Sequence, residues 1–177
     1  MAALLATTVR TPVGPLAIVA DPDTGVVYGS AFLPLDVIIA RLRPELAGRG
    51  VRQAGAEQML ARDAATAWAA GELTALDQVT VDQPGGPFHQ RVWAAMRRIE
   101  PGQTATYAQI AELAGNRKAA RAAGTACARN LVALFVPCHR VVASGGGLGG
   151  YGFGLPTKAA ILRHEGARLP ALQPERL

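Results

Sequence analysis

A cysteine, a histidine and an arginine follow one another at Cys138, His139 and Arg140, directly after Pro137. A cysteine acts as a nucleophile through its thiolate, which a neighbouring imidazole or guanidinium favours. The alternative is that Cys138 is a small buried hydrophobe, the usual environment of an isolated cysteine. Because His139 and Arg140 follow it directly, we interpret Cys138 as a nucleophile.

The segment before this triplet predicts how the thiol is held. Residues 131–136 form a nearly unbroken apolar run, which is typical of a buried strand. A strand that ends at a proline presents the next residues at the rim of the core. In an extended strand His139 and Cys138 point to opposite faces. The imidazole can therefore take the thiol proton only if the chain turns or a water relays the proton.

A carboxylate that could orient His139 lies farther along the chain, at Glu165. The sequence predicts a helix that starts at 155–158 and ends at Glu165-Gly166. Glu165 is either a solvated carboxylate at the helix end or the acceptor that fixes the tautomer of His139. The spacing leaves both interpretations open.

A basic helix is the second feature with chemical meaning. Helices predicted at 106–113 and 117–129, separated by a turn, indicate a helix-turn-helix. Lys118, Arg121 and Thr125 share a face of the second helix, and small residues surround them. Such a helix can approach a sugar-phosphate surface closely, with Arg121 entering a groove or a gap in the base stack. A tightly packed helix pair with a solvated basic rim explains this pattern equally well.

The positive charge is concentrated in the second half of the chain. Residues 1–83 carry 6 Arg against 9 Asp and Glu, a net charge of −3, whereas residues 84–177 carry 12 Lys and Arg against 4 Glu, a net charge of +8. Arginine outnumbers lysine 16 to 2, which indicates a compositional bias but does not explain the asymmetry. The asymmetry favours a polyanionic partner for the second half.

The first half predicts a small sheet with helices laid against it. Its expected elements are a turn at 11–15, strands at 16–19 and 26–33 around a turn at 21–25, helices at 36–42 and 57–70, and a third strand at 78–81. This half contains no histidine and no cysteine, so we interpret it as mainly structural.

The predicted fold class is therefore α/β (α+β). We expect a structural α/β domain at 1–83 with a small β-sheet and helices, and a mainly helical domain at 84–168 that contains the helix-turn-helix and the nucleophile. The Pro- and Gly-rich stretch after Gln83 separates the two, and a helix predicted at 87–99 packs into the core. Residues 169–177 are predicted to be a loose tail.

The run Pro137-Cys138-His139-Arg140-Val141 resembles the active-site signature of the O6-alkylguanine-DNA alkyltransferases, also called methylated-DNA-protein-cysteine methyltransferases. The resemblance covers roughly residues 88–167 through ordered segments at 88–93, 101–107, 114–122, 150–152 and 164–166. It is looser in the first half, at 11–16.

The resemblance implies direct reversal of DNA damage, with one alkyl group moved irreversibly from O6 of guanine in duplex DNA to Cys138. His139 would act through water as the base, and Glu165 would orient His139. Tyr107 would donate to guanine N3, and Asn130 would brace the turn beneath the sulfur. Because O6 lies inside the base stack, the nucleotide would be flipped out, from the minor-groove side.

Recognition of the base and of DNA is implied at further positions. Arg121 would replace the flipped nucleotide inside the duplex. The substrate-binding residues would be Val141, Tyr151 and Gly152, with the carbonyls of Cys138 and Val141 accepting from the exocyclic amine. The other DNA-binding positions would be Thr106, Lys118, Ala119, Ala120 and Arg140.

The sequence departs from the family pattern at two positions of the site and in its first half. Leu131 follows Asn130 where the family usually has proline, which predicts a looser turn. Gly152 stands where some members have serine, so only its backbone N–H could bind O6. Because the first half lacks Cys and His, we expect no structural zinc, and we expect no cofactor.

Two other functions share some of these residues. A cysteine hydrolase could use Cys138, His139 and Glu165, but the basic helix-turn-helix argues against it. A non-catalytic, alkyltransferase-like DNA-binding module would lack the acceptor thiol, which this chain has. With two cysteines and no membrane-length apolar run, we expect a soluble cytoplasmic monomer, and clustering along DNA is left open.

Overall fold

The computed structural model describes residues 1–169, so the predicted tail lies outside the described residues except for Leu169. The first half forms a four-stranded sheet of β1 (Leu4–Thr11), β2 (Gly14–Ala20), β3 (Val27–Ala31) and β4 (Val51–Gln53), in the order β3-β2-β1-β4. Strands β1, β2 and β3 are antiparallel, and β4 pairs parallel to β1.

Short polar turns connect these strands. Between β1 and β2 the Thr11 hydroxyl donates to the carbonyl of Gly14, which has a φ of +129°. Between β2 and β3 the Asp21 carboxylate accepts from the amides of Asp23 and Thr24. Side chains that bond their own backbone in this way favour turns over strand continuation.

Helices pack on the sheet and build most of the second half. The bounds are α1 (Leu35–Ile39), α2 (Pro44–Ala47), α3 (Leu60–Ala69), α4 (Pro87–Met96), α5 (Tyr107–Leu113), α6 (Ala120–Ala128) and α7 (Leu155–His164). A two-stranded parallel pair, β5 (Ala105–Thr106) and β6 (Val141–Val142), lies among the later helices. The expected mixed α/β fold is confirmed. Among the helices of residues 1–169, none is long and apolar enough to cross a membrane.

The predictions for the third strand and for the start of the second helix of the pair were wrong, and two strands were missed. The third strand expected at 78–81 is instead a 3₁₀ turn at Ala75–Gln78 followed by an isolated bridge between Val81 and Val27. Strands β1 and β4 were not predicted, although β1 forms the longest antiparallel pair of the sheet with β2. The second helix of the pair starts at Ala120 rather than at residue 117, because residues 117–119 still belong to the connecting turn.

The apolar run at 131–136 is buried as expected, but it is not a strand. Leu134 has a φ of +75°, and the segment turns back on itself through a bridge between Ala133 and Val136. Its outer backbone groups pair with Ser30 of β3: the Ser30 amide donates to Leu131, and the Ala133 amide donates to Ser30. The run is therefore a buried turn whose polar backbone is satisfied by the first half.

One hydrophobic core extends across both halves. Ile18 and Trp68 of the first half belong to the same buried cluster as Trp93, Ile110 and Val136 of the second. The last residues of α7 meet the loop after α4, where Gly102 lies against the backbone of Glu165. The division at residue 83 stays a prediction.

We expect Gly102→Ala to destabilise the protein more than Gly145→Ala. The two glycines have nearly the same φ, +82° and +85°, so both substitutions place alanine in the left-handed region, at about 1–2 kcal/mol. Only at Gly102 would the new Cβ lie 2.9 Å from a backbone oxygen, that of Glu165, while Gly145 has open space. Urea denaturation of the two variants measures the difference, and equal losses would contradict the packing argument.

Candidate active site

Cys138 lies at the start of a 3₁₀ turn, Cys138–Arg140, and faces a cavity of about 310 Å³. Its exposed fraction is only 7%, yet exposed residues such as Ala128, Gly150 and Gly152 line the same cavity. The volume falls at the lower end of small-molecule pockets. The thiol is therefore held firmly in the core and still faces a space that reaches the surface.

Asn130 connects the sulfur to the buried turn. Its Nδ2 donates to the carbonyl of Val136 at 2.8 Å and to Cys138 Sγ at 3.2 Å. Its Oδ1 accepts from the Val132 amide at 3.1 Å and from Gln83 Nε2 at 3.0 Å. All of its polar atoms are thus used, and a donor group faces the sulfur.

Burial and polar contacts act on the thiol in opposite directions. Burial raises the pKa of Cys138, while the hydrogen bond from Asn130 and the charge of Lys158 act to lower it. Lys158 is fully buried on α7, where its Nζ donates to the carbonyls of Val141 (2.6 Å) and Gly150 (3.1 Å). Sequence reasoning missed Lys158, although one of only two lysines in a chain with 16 arginines was a usable signal.

His139 and Glu165 form a buried pair, with 3.0 Å between Nε2 and Oε2. The pKa of His139 is lowered, chiefly by burial, and the pKa of Glu165 is lowered to about 2 because its hydrogen bonds outweigh its burial. A carboxylate can only accept, so Nε2 carries the hydrogen and the neutral ring keeps an acceptor lone pair on Nδ1. Within residues 1–169 that Nδ1 has no hydrogen-bond partner.

Arg140 is an internal residue, so its predicted contact with DNA is wrong. Only 3% of the residue is exposed, and its guanidinium donates twice to Glu165, at 2.9 and 2.8 Å, and once to the carbonyl of Ile99. A side chain engaged in a bidentate buried ion pair cannot reach a phosphate. These contacts also decide between the two interpretations of Glu165: it is a buried hydrogen-bond acceptor and not a solvated carboxylate.

The first half supplies a third residue, after His139 and Arg140, that donates a hydrogen bond to Glu165. The indole Nε1 of Trp68, on α3, donates to Oε1 at 3.2 Å, and the Trp68 ring packs 4.4 Å from that of His164. Trp68 is completely buried. Sequence reasoning placed it in the core by periodicity but had no signal for this polar contact, since it joins residues 97 positions apart.

Of the predicted base-binding residues, Tyr107, Tyr151 and Gly152 line the cavity, whereas Val141 is buried and is not part of its lining. Tyr107 begins α5, its hydroxyl packs against the backbone of Gly149, and burial raises its pKa. Tyr151 and Gly152 line the cavity from the loop between β6 and α7. The buried Tyr151 hydroxyl has no hydrogen-bond partner among residues 1–169. Their roles in binding stay predictions.

The predicted DNA-binding residues, apart from Arg140, are at or near the surface around α6. Arg121 and Lys118 are exposed, although Lys118 lies in the turn before α6 and not on its face. Ala119 and Ala120 are half-buried at the start of the helix. Thr106 forms a capping box with Gln109 that begins α5, so it has a structural use as well.

One feature of the site was not expected from the sequence. Leu33 and Arg41 of the first half line the cavity together with Phe153 of the second, so the first half contributes to its wall. In the part of the chain that the structure describes, no three His, Cys, Asp or Glu side chains are grouped to hold a metal ion.

Comparisons with known proteins agree on one family. Residues 87–167 match the family model for the DNA-binding domain of 6-O-methylguanine DNA methyltransferase. A methylated-DNA-protein-cysteine methyltransferase of Mycobacterium leprae is 38% identical over 156 residues, 88% of each chain. One of Salmonella typhimurium is 34% identical over 94% of this chain and 98% of its own. One of Mycobacterium tuberculosis is 47% identical over 62% of this chain, a stretch that spans 66% of that relative, slightly less than two thirds.

Solved structures give the same result for nearly the whole chain. The crystal structure of Mycobacterium tuberculosis O6-methylguanine methyltransferase has a TM-score of 0.73 at 33% identity and covers 95% of this chain and 96% of its own. The crystal structure of Mycobacterium tuberculosis OGT in complex with DNA has a TM-score of 0.72 at 32% identity, with 94% and 96% covered.

We expect Glu165→Gln to reduce the unfolding free energy at pH 7 by about 3–5 kcal/mol, because it leaves the buried Arg140 without its anion. The folded-state pKa of Glu165, about 2, lies below its ordinary value of 4.5. Its ionisation therefore stabilises the fold fully above pH 4.5 and loses this effect as the pH falls toward 2.

Denaturation at several pH values measures both effects. Between pH 5 and pH 2 the unfolding free energy should fall less steeply in Glu165→Gln than in the unaltered protein. The exposed Glu72→Gln is the control and should change stability by less than about 0.5 kcal/mol. A variant with unchanged stability at pH 7 would mean that Glu165 does not hold the buried ion pair.

Proposed function

The chain belongs to the methylated-DNA-protein-cysteine methyltransferase family, and from this premise we propose that it repairs O6-alkylguanine in duplex DNA by moving the alkyl group irreversibly to Cys138. One observation carries the proposal: the sulfur faces a cavity of about 310 Å³ while His139, the next residue of the same turn, forms a buried pair with Glu165. The cavity can take a flipped base, and the pair can take the thiol proton.

Activation of the sulfur is assigned to His139. Its Nδ1 lone pair accepts the thiol proton through a water, and the Glu165 carboxylate stabilises the imidazolium that forms. Asn130 and the charge of Lys158 stabilise the thiolate, against the cost of burial. These contacts explain how a buried thiol is ionised when the substrate is in place.

Transfer is an in-line displacement at the alkyl carbon. The S–C bond forms as the C–O6 bond breaks, and the electron pair of that bond stays on the guanine. Tyr107 donates a proton to N3 and so neutralises the leaving base, which balances the proton that His139 removed. The carbonyl of Val141, fixed by Lys158, has a second lone pair for the exocyclic amine, and the carbonyl of Cys138 is the other acceptor.

DNA binding is assigned to α6 and the turn before it. The helix consists mainly of small residues, so its backbone can lie close to the minor groove while Arg121 fills the space left by the flipped nucleotide. Lys118 contributes a phosphate contact from the turn. The DNA complex of the mycobacterial relative supports this partner.

We expect one methyl group per protein when duplex DNA containing O6-methylguanine is supplied in excess. A thioether is chemically stable, and neither His139 nor Glu165 can hydrolyse it, so the reaction stops after one turnover. Intact-mass measurement should show a single addition of one methyl, and Cys138→Ser should show none. Undamaged duplex is the control. Repeated turnover would indicate a hydrolase, and tight binding without an adduct would indicate a non-catalytic module.

We expect Arg121→Ala to slow repair of duplex DNA by about 10- to 100-fold but to leave reaction with free O6-methylguanine nearly unchanged. The side chain is assigned to base extrusion, whose unstacking cost is a few kcal/mol and is absent for a free base. Arg98→Ala, which removes an exposed positive charge from the segment after α4, is the matched control and should affect the two substrates little. Equal losses on duplex and free base would refute the extrusion role.

A further inference from the structure

Gln83 is a buried glutamine in the connection between the two halves of the chain. Only 3% of it is exposed, whereas Asp82, Pro84 and Gly85 around it are exposed. Its backbone carbonyl accepts from Gln90 Nε2 at 2.8 Å, so the connection is fixed to α4 at this point. A buried amide in an otherwise exposed connection requires a polar environment inside the protein.

Its side chain bonds to Asn130 and to Leu131, the first residue of the buried turn. Gln83 Oε1 accepts from the Leu131 amide at 2.7 Å, and Nε2 donates to Asn130 Oδ1 at 3.0 Å. A backbone amide can only donate, so the first bond fixes which end of the Gln83 side chain is oxygen and which is NH₂. The NH₂ group must then face Asn130.

We propose that Gln83 is a positioning residue for the reaction, which sets the side-chain amide of Asn130 so that its NH₂ group and not its carbonyl faces Cys138 Sγ. Asn130 Oδ1 receives two donors, one from Gln83 and one from the Val132 amide at 3.1 Å. The Nδ2 atom is thereby directed to Val136 and to the sulfur at 3.2 Å. With the amide turned over, a carbonyl would face the thiolate and repel it.

Leu131 makes this arrangement possible. A proline at that position, which is usual in the family that the sequence resembles, has no N–H and could not donate to Gln83. The side-chain oxygen of Gln83 would then lose its partner, and the orientation of its amide would no longer be determined by the backbone. Leu131 and Gln83 therefore act as a pair.

The experiment uses the full chain with Gln83→Met and Gln83→Glu. Methionine keeps the volume but makes neither hydrogen bond. Glutamate keeps the acceptor for Leu131 but places a second acceptor against Asn130 Oδ1, which favours turning the Asn130 amide over. The measurement is the rate of Cys138 alkylation by iodoacetamide against pH, with Cys138 and Cys127 distinguished by peptide mass mapping.

We expect the apparent pKa of Cys138 to rise by about one unit in Gln83→Met and by more in Gln83→Glu, since the latter reverses the dipole that faces the sulfur. Folding is checked in parallel by urea denaturation. An unchanged pH profile in either folded variant would overturn the inference, as would a larger shift in Gln83→Met than in Gln83→Glu.

Ser30→Ala is the matched control for a purely structural effect. The Ser30 hydroxyl also links the first half to the same buried turn, donating to the carbonyl of Ala133 at 2.8 Å, whereas the hydrogen bonds of the Asn130 side chain go to Gln83, Val132, Val136 and Cys138. This variant should lose stability and keep the pH profile of Cys138. If Ser30→Ala shifts the profile as much as Gln83→Met does, Gln83 has no specific positioning role.

The inference rests on the proposed function of Cys138, but the two can fail separately. Iodoacetamide reports on ionisation of the sulfur whether or not DNA is a substrate. A protein that takes no methyl group from O6-methylguanine would contradict the proposed function, while the iodoacetamide profiles would still decide whether Gln83 orients Asn130.

Discussion

The carboxylate of Glu165 is the group on which the arrangement of the site depends. It accepts four hydrogen bonds, from His139, twice from Arg140, and from Trp68, all in the interior. A buried carboxylate is tolerated only when such partners satisfy it, so its position fixes the ends of α3 and α7 and the 3₁₀ turn together. The tautomer of His139 and the inward direction of Arg140 follow from this one anion.

The sulfur of Cys138 is subject to the opposite constraint. Burial holds it rigidly beside the cavity but raises its pKa, so reactivity requires compensating donors and positive charge. Asn130 supplies the donor and Lys158 the charge, and both are held by bonds to the backbone of neighbouring segments. The thiol is thus shielded from most reagents in solution. Its ionisation depends on Asn130, which also lines the cavity, and on Lys158.

The sequence predicted local features well and long-range contacts poorly. The Cys138-His139-Arg140 triplet and the helix ending at Glu165 were readable because type and spacing are local signals. Strand β1 was missed because its alternation is imperfect, and the run at 131–136 looked like a strand because burial, not pairing, determines its composition. Contacts such as Trp68 to Glu165 carry no local signal, and the inward side chain of Arg140 became evident only from its partners.

The contact between Trp68 and Glu165 also constrains how this protein can diverge. The half of the chain without any nucleophile contributes a donor to the innermost carboxylate of the other half. A chimera that joins this C-terminal half to the N-terminal half of a relative would lose one of the four hydrogen bonds to Glu165 unless the incoming half brings an N–H or O–H to the same place. Exchange of either half is therefore restricted by this polar contact in addition to the hydrophobic core that the halves share.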